Sequence, residues 1–170
     1  MSVEELKQRL SYDAATGTVR WTITYSSHAI KGKEAGCVNA AGYKVIRINK
    51  KLHLAHRIAW AIEHGAWPDN EIDHINGDRL DNRLVNLRQA THAENSCNTK
   101  MQSNNTSGFK GVHRHKNGWR AVIKSGGRTR CLGVHVSKEA AAKAYAKAAS
   151  LYHGNFVRLT SLEACHLNSI

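Results

Sequence analysis

Apolar residues along this chain recur at helical spacing in some stretches and alternate with polar ones in others, and the alternation dominates the first half. Leu6 and Leu10 share one face of residues 3–10, which predicts a short helix. Residues 12–21 then read as strand, turn at Gly17, strand. Residues 41–54 alternate residue types and turn at Asn49-Lys50-Lys51, so a hairpin is expected. Residues 56–64 return to helical spacing, with Ile58, Ala59, Ala61 and Ile62 toward a core and Gly65 and Pro68 as the stop. Strands are expected at 71–75 and 87–90 around a loop. Thr91-x-x-Glu94 forms a capping box, so a helix should begin at His92 and run to about Lys100.

Residues 101–108 carry no apolar periodicity and mark a linker. Three further strands are expected at 110–115, 119–124 and 128–134, with turns at 115–118 and 125–127. Ser137 should cap an alanine-rich helix that Gly154 ends near His153. Ala141, Ala144, Ala148 and Tyr152 fall on one stripe, so that helix can lie close against a sheet, and Trp119 reads as core. The fold class is α+β. The organisation is 1–100 as one region with its core at about 42–98, 101–108 as linker, 109–160 as a second domain and 161–170 as a tail.

Charge changes the picture. The 170 residues carry 25 Lys and Arg against 13 Asp and Glu, a net +12. Residues 1–100 hold 14 basic and 11 acidic side chains, whereas residues 101–170 hold 11 basic and only 2 acidic ones. A polyanion is the natural partner of such a tail, and double-stranded DNA fits better than a membrane surface. No apolar run approaches a spanning helix, and the first residues do not read as a signal peptide. Cys37, Cys97, Cys131 and Cys165 include no C-x-x-C pair, which argues against a zinc knuckle and a disulfide framework. A reducing, cytoplasmic setting is expected.

The chemistry sits in residues 72–95. Asp73 and His74 close a strand, and Asn95 lies one turn into the following helix. A carboxylate oxygen from Asp73 and an amide oxygen from Asn95 are hard ligands suited to magnesium, with manganese second. Adjacent strand residues face opposite ways, so His74 can stay off the metal and act as general base on a water beside a phosphodiester. Asn86 would brace the clamp by hydrogen bonding across the loop. Asn82 reads as an ordinary turn residue. A calcium loop from Asp73, Asn76, Asp78 and Asp81 has its glycine at the wrong position and no closing glutamate.

His74, Asn86 and Asn95, set in Asp-His-Ile-Asn-Gly-Asp, Asp-Asn-Arg, Asn-Leu-Arg and Glu-Asn, resemble the H-N-H homing endonuclease family in its H-N-N form. The lead-in His56-Arg57-Ile58-Ala59-Trp60 and Gly65-x-x-Pro68 resemble its phage members. The resemblance covers roughly 42–98. It implies a ββα-metal nuclease with His74 as base, Asp73 and Asn95 as metal ligands and Asn86 as the structural middle residue. Asn95 in place of a final histidine implies a magnesium-type site rather than zinc.

Phe109-Lys110-Gly111-Val112-His113-Arg114-His115, 119–124, 132–135 and 139–148 resemble the plant ethylene-response-factor (Apetala-type) DNA-binding domain, over about 107–159. That resemblance implies a three-stranded antiparallel sheet, backed by a helix, lying in the major groove. Lys110, His113, His115, Lys124, Arg128 and Arg130 are expected on one sheet face, with Arg114 and Arg120 as further DNA-binding candidates and Arg47 and Lys50 on the earlier hairpin. The plant pattern favours arginines at several of these positions, so base preference does not carry over. The combined expectation is a phage-encoded, site-specific endonuclease of homing type. It would leave 5′-phosphate and 3′-hydroxyl ends, act as a monomer and need no small molecule beyond a metal ion. The rival is a non-catalytic DNA-binding regulator that keeps the nuclease fold as a scaffold.

Overall fold

Ser2 starts the first helix by a reciprocal cap: its hydroxyl accepts from the Glu5 amide (3.1 Å) and the Glu5 carboxylate accepts from the Ser2 amide (2.8 Å). Two amides that a helix start leaves open are thereby satisfied, and α1 (Val3–Arg9) follows. The computed structural model describes residues 1–99, 101 and 104–157. It divides into two compact units, Met1–His92 and Ala93–Ile170.

In the first unit, β1 (Leu10–Asp13) and β2 (Thr18–Trp21) form an antiparallel hairpin. β3 (Cys37–Val38), β4 (Lys44–Ile48) and β5 (Lys51–Leu54) form a three-stranded antiparallel sheet in chain order. Asn49 and Lys50 turn β4 into β5 with φ of 48° and 65°, matching the two-residue hairpin turn whose twist suits the flanking strands. α2 (Ala55–His64) closes the layer and ends at Gly65. Leu6, Leu10, Val19, Ile46 and Ile58, each 1 % exposed or less, make the core between these elements.

β6 (Glu71–His74) and β7 (Leu87–Ala90) pair antiparallel with Asp73 opposite Arg88 and His74 opposite Leu87. Ile72 and Leu87 bury against Ala59 of α2, so this hairpin is anchored on the helix through its apolar face. α3 (His92–Cys97) comes next. The chain order strand, strand, helix is therefore the expected one. The division between units falls after the first residue of α3, ahead of the 101–108 stretch that composition marks as linker. Lys100, Cys165 and the 161–170 tail lie outside the described residues.

The second unit holds β8 (Val112–His115), β9 (Gly118–Ser125) and β10 (Arg128–His135) as an antiparallel sheet with β9 in the centre. α4 (Lys138–His153), capped by the Ser137 hydroxyl on the Ala140 amide (3.1 Å), covers one sheet face. The buried side of α4 is broader than the expected stripe. Ala141, Ala142, Tyr145, Ala146, Ala148 and Ala149 are buried, Ala144 only in part, and Tyr152 is exposed. Tyr145 is thus the tyrosine of the core, packed with Ile123.

Candidate active site

Residues 75–86, between β6 and β7, are drawn shut by one asparagine. Asn86 Oδ1 accepts from the Asn76 amide (2.9 Å), its Nδ2 donates to the Asp81 carbonyl (2.7 Å), and its own carbonyl accepts from the Ile75 amide (2.9 Å). Asp81 adds a second clasp. Its carboxylate accepts from Arg83 Nε and Nη2 (2.8 and 2.7 Å) and from Asn76 Nδ2 (2.8 Å). The Arg83 bonds lead in holding the Asp81 carboxyl down at about 2.

His74 ends β6 on the same side as Ile72, the side that meets α2. It is 4 % exposed. Its ring meets His56 of α2 edge-on (centroids 4.9 Å apart) and Tyr43 (6.1 Å), while Tyr43 and His56 are 5.5 Å apart. The Arg79 guanidinium lies over the Tyr43 ring at 4.7 Å and donates to the Ala41 carbonyl. Burial holds the His56 pKa down at about 3, and His74 and Arg57 push the same way. His56 therefore stays uncharged at neutral pH and places no fixed positive charge beside His74.

The residue that sequence reasoning passed over is Asn82. It is only 2 % exposed, and its Oδ1 lies 3.0 Å from His74 Nε2. Its type gives no hint of this, because an asparagine in such a loop normally bonds its own turn. Only closure of the loop carries it inward.

Asp73 projects from the opposite side of β6 and is 5 % exposed. Arg88, directly across the ladder, donates from Nε (2.9 Å) and Nη2 (2.7 Å) to Asp73 Oδ2. This pair was legible in principle: counting register back from the loop places opposite charges face to face. Asn95, the other expected ligand, stands on α3 in the second unit. Among the described residues no group of three or more His, Cys, Asp or Glu gathers as a metal site. A carboxylate with asparagine amide oxygens still fits a hard divalent ion that keeps several waters, and not a thiolate-type zinc centre.

The second unit separates the basic residues that were expected on one face. Register puts His113, His115, Arg120 and Lys124 on the side of the sheet away from Val112, Ala121 and Ile123, which bury under α4. Three of the expected residues, Lys110, Arg128 and Arg130, depart from that face, and so does the further candidate Arg114. Lys110 precedes β8, and its ammonium donates to the Cys97 and Thr99 carbonyls (3.1 and 2.7 Å). Arg114 pairs across from Trp119 and lies over its ring at 5.2 Å. Arg130, opposite Ile123, lies over the Tyr152 ring of α4 at 5.2 Å. Arg128 shares the parity of Arg130 at the end of the strand. Trp119 packs at the edge of the core rather than within it. In the first unit Arg47 is exposed on β4 and Lys50 is exposed in the β4–β5 turn.

Two comparisons bear on this geometry. The family model described as HNH endonuclease matches residues 53–97, which contain α2, β6, the 75–86 loop, β7 and α3. Protein 3.8 of Escherichia phage T7 is 35 % identical over 111 residues, spanning 64 % of this chain and 91 % of that protein. No solved structure matches the chain. No helix among the described residues is long and apolar enough to cross a membrane.

Proposed function

Because the chain belongs to the family of phage T7 protein 3.8 and carries an HNH endonuclease domain at residues 53–97, we propose that it is a site-specific DNA endonuclease of homing type. The observation that carries this reading is His74: a buried imidazole at the end of β6, inside the matched segment, above a loop that Asn86 holds shut.

In this reading His74 takes a proton from a water, and the resulting hydroxide attacks the phosphorus of the scissile phosphodiester. The bond to the 3′ oxygen breaks, leaving 5′-phosphate and 3′-hydroxyl ends. Asp73 would hold a divalent ion, magnesium first and manganese second, and Asn95 enters as its partner ligand on its sequence position alone. Such an ion, when bound, supplies positive charge for the phosphate and the leaving oxygen. Arg88 holds Asp73 Oδ2 in place while competing for its charge, so affinity for the ion should be modest. Asn86 acts by shaping the loop and touches no reacting atom.

Double-stranded DNA is the partner, held in the second unit by the outward face with His113, His115, Arg120 and Lys124. The second unit is a three-stranded sheet backed by α4, and in this reading the sheet lies in the major groove; the family match at residues 53–97 does not reach it. Arg47 and Lys50 would add phosphate contacts from the β4–β5 hairpin. One base per chain supports nicking by a monomer.

The test is cleavage of supercoiled plasmid carrying the DNA that flanks its own gene, with magnesium or EDTA, by wild type and His74→Ala. Magnesium-dependent nicks or breaks that vanish in the variant, with DNA affinity kept, are expected. Wild-type binding without cleavage in magnesium and manganese would replace this reading by that of a DNA-binding regulator. Loss of binding in His74→Ala would sink the role assigned to that residue.

A further inference from the structure

The outward face of the second unit carries an apolar strip among its cations. Ala121 and Ile123 bury under α4, so Arg120, Val122 and Lys124 point the other way along β9. Register sets Val122 opposite Cys131, Arg120 opposite Val134 and Lys124 opposite Thr129. The slip in the ladder between Cys131 and Gly133 turns Leu132 toward α4, where it packs. Cys131 and Val134 are thereby both left outward. A Cβ added at Gly118 would stand 3.1 Å from Val134 Cγ1, which places that methyl group on the same side of the sheet.

Val134 is 52 % exposed, Cys131 is exposed and Val122 is half-buried. Apolar side chains set side by side at a sheet edge mark an interaction surface. Their neighbours decide the chemistry of the partner. His113, His115, Arg120 and Lys124 share this face, and no Asp or Glu occurs in the chain between Glu94 and Glu139. A polyanion is favoured, and it must offer apolar groups to the strip. On the base edges of a DNA major groove the apolar group is the thymine C5-methyl. Guanine is read best by arginine, and Arg120 is the one guanidinium among the described residues of this face.

We propose that Val122, Cys131 and Val134 read thymine methyl groups in the major groove. The second unit then favours thymine-bearing steps under the strip, while Arg120 and Lys124 hold the backbone beside it. This rests on the docking of the outward face on DNA proposed above, and it is tested by binding alone.

Uracil in place of thymine removes the methyl group and keeps the base pairing. A duplex taken from the DNA that flanks the gene is made once with thymine and once with uracil, and fluorescence anisotropy follows the full chain on each. Burying one methyl group is worth about fourfold in affinity, so two or more contacts should make the thymine duplex tighter by about tenfold. Val122→Ser/Val134→Ser should weaken thymine binding alone and bring the two affinities within about a factor of two. Val122→Thr/Val134→Thr keeps the branched shape that strands favour. It is the safer pair to fold and should lower the ratio in the same sense. Arg120→Ala/Lys124→Ala should weaken both duplexes alike and leave the ratio in place. Equal affinity of wild type for thymine and uracil duplexes, or a folded serine variant that keeps the preference, would overturn the proposal. If Arg120→Ala/Lys124→Ala keeps the full salt slope of wild type, DNA does not lie on this face, and the methyl reading falls with the docking. If that slope flattens but the uracil duplex binds as tightly as the thymine one, the docking stands and the methyl reading alone is lost.

Discussion

Asn86 ties the two ends of a loop with opposite ends of one amide, and only an amide can do so. Asn86→Ala removes an acceptor from the Asn76 amide and a donor from the Asp81 carbonyl. The expected loss is about 2 kcal/mol of stability, read from urea denaturation at constant m. Asn86→Asp should fare no better, because it sets a carboxylate oxygen against the Asp81 carbonyl; an Asp variant as stable as wild type would refute the brace. His56 gives a prediction in pH. The unfolded chain binds a proton at this histidine near the ordinary value of 6.5, whereas the folded chain holds it off until about 3. Its contribution to stability is therefore complete above 6.5 and is lost as pH falls, by up to about 1.4 kcal/mol per pH unit. The His56→Phe variant should lack that part of the slope between about pH 6.5 and 4.5. Asp81 weakens the fold only in a lower window, between its ordinary 3.8 and about 2. Matching slopes in wild type and His56→Phe would show that the buried imidazole does not govern this range.

At the scale of elements, the hairpins, α2 and α4 were legible because their signals are local. Gly17, the Asn49-Lys50 turn, the Gly65 stop and the Ser137 cap each act within a few residues. What the sequence could not reveal were consequences of closure at long range. Nothing near Asn82 says that Tyr12 will reach its carbonyl or that Gly17 will back its peptide. The faces of β10 were hidden for another reason. Most of its residues are exposed on both sides, and the register slips by one at Leu132, between Cys131 and Gly133, so alternation alone does not identify the side under α4. Two glycines test the long-range contact. Gly17 and Gly32 have nearly the same φ, +73° and +80°, but a Cβ at Gly32 would meet nothing within 4 Å. Gly32→Ala should cost about 1 kcal/mol of left-handed strain and leave cleavage unchanged. Gly17→Ala adds collisions with the backbone at 82 and 83. It should cost about 3 kcal/mol. Equal losses of stability from both variants, measured by thermal unfolding, would show that the close approach of Gly17 to the backbone at 82 and 83 carries no weight.

For the whole molecule, net charge sets the attraction to DNA but not which cations touch it. The +12 of the chain is concentrated in residues 101–170, yet the fold has already employed several of those side chains. Lys110 secures the carbonyls that end α3, Arg114 covers Trp119 and Arg130 covers Tyr152. Arg120 and Lys124 remain on the outward face of the sheet beside His113 and His115. Each cation that neutralises a phosphate releases counterions, and the logarithm of affinity then falls with the logarithm of salt by roughly 0.9 per contact. Removing both Arg120 and Lys124 as alanines in the full chain should therefore flatten that slope by about two and weaken binding most at low salt. Arg130→Ala should leave the slope nearly unchanged, since its charge is seated over an aromatic ring on the α4 side. Lys110→Ala should lower the melting temperature before it alters the slope. Fluorescence anisotropy on one duplex across a salt series distinguishes these cases. If Arg130→Ala flattens the slope as much as the double variant, the grip does not belong to the outward face. DNA would then have to lie along the side where α4 meets the sheet, and the major-groove mode would fall with it.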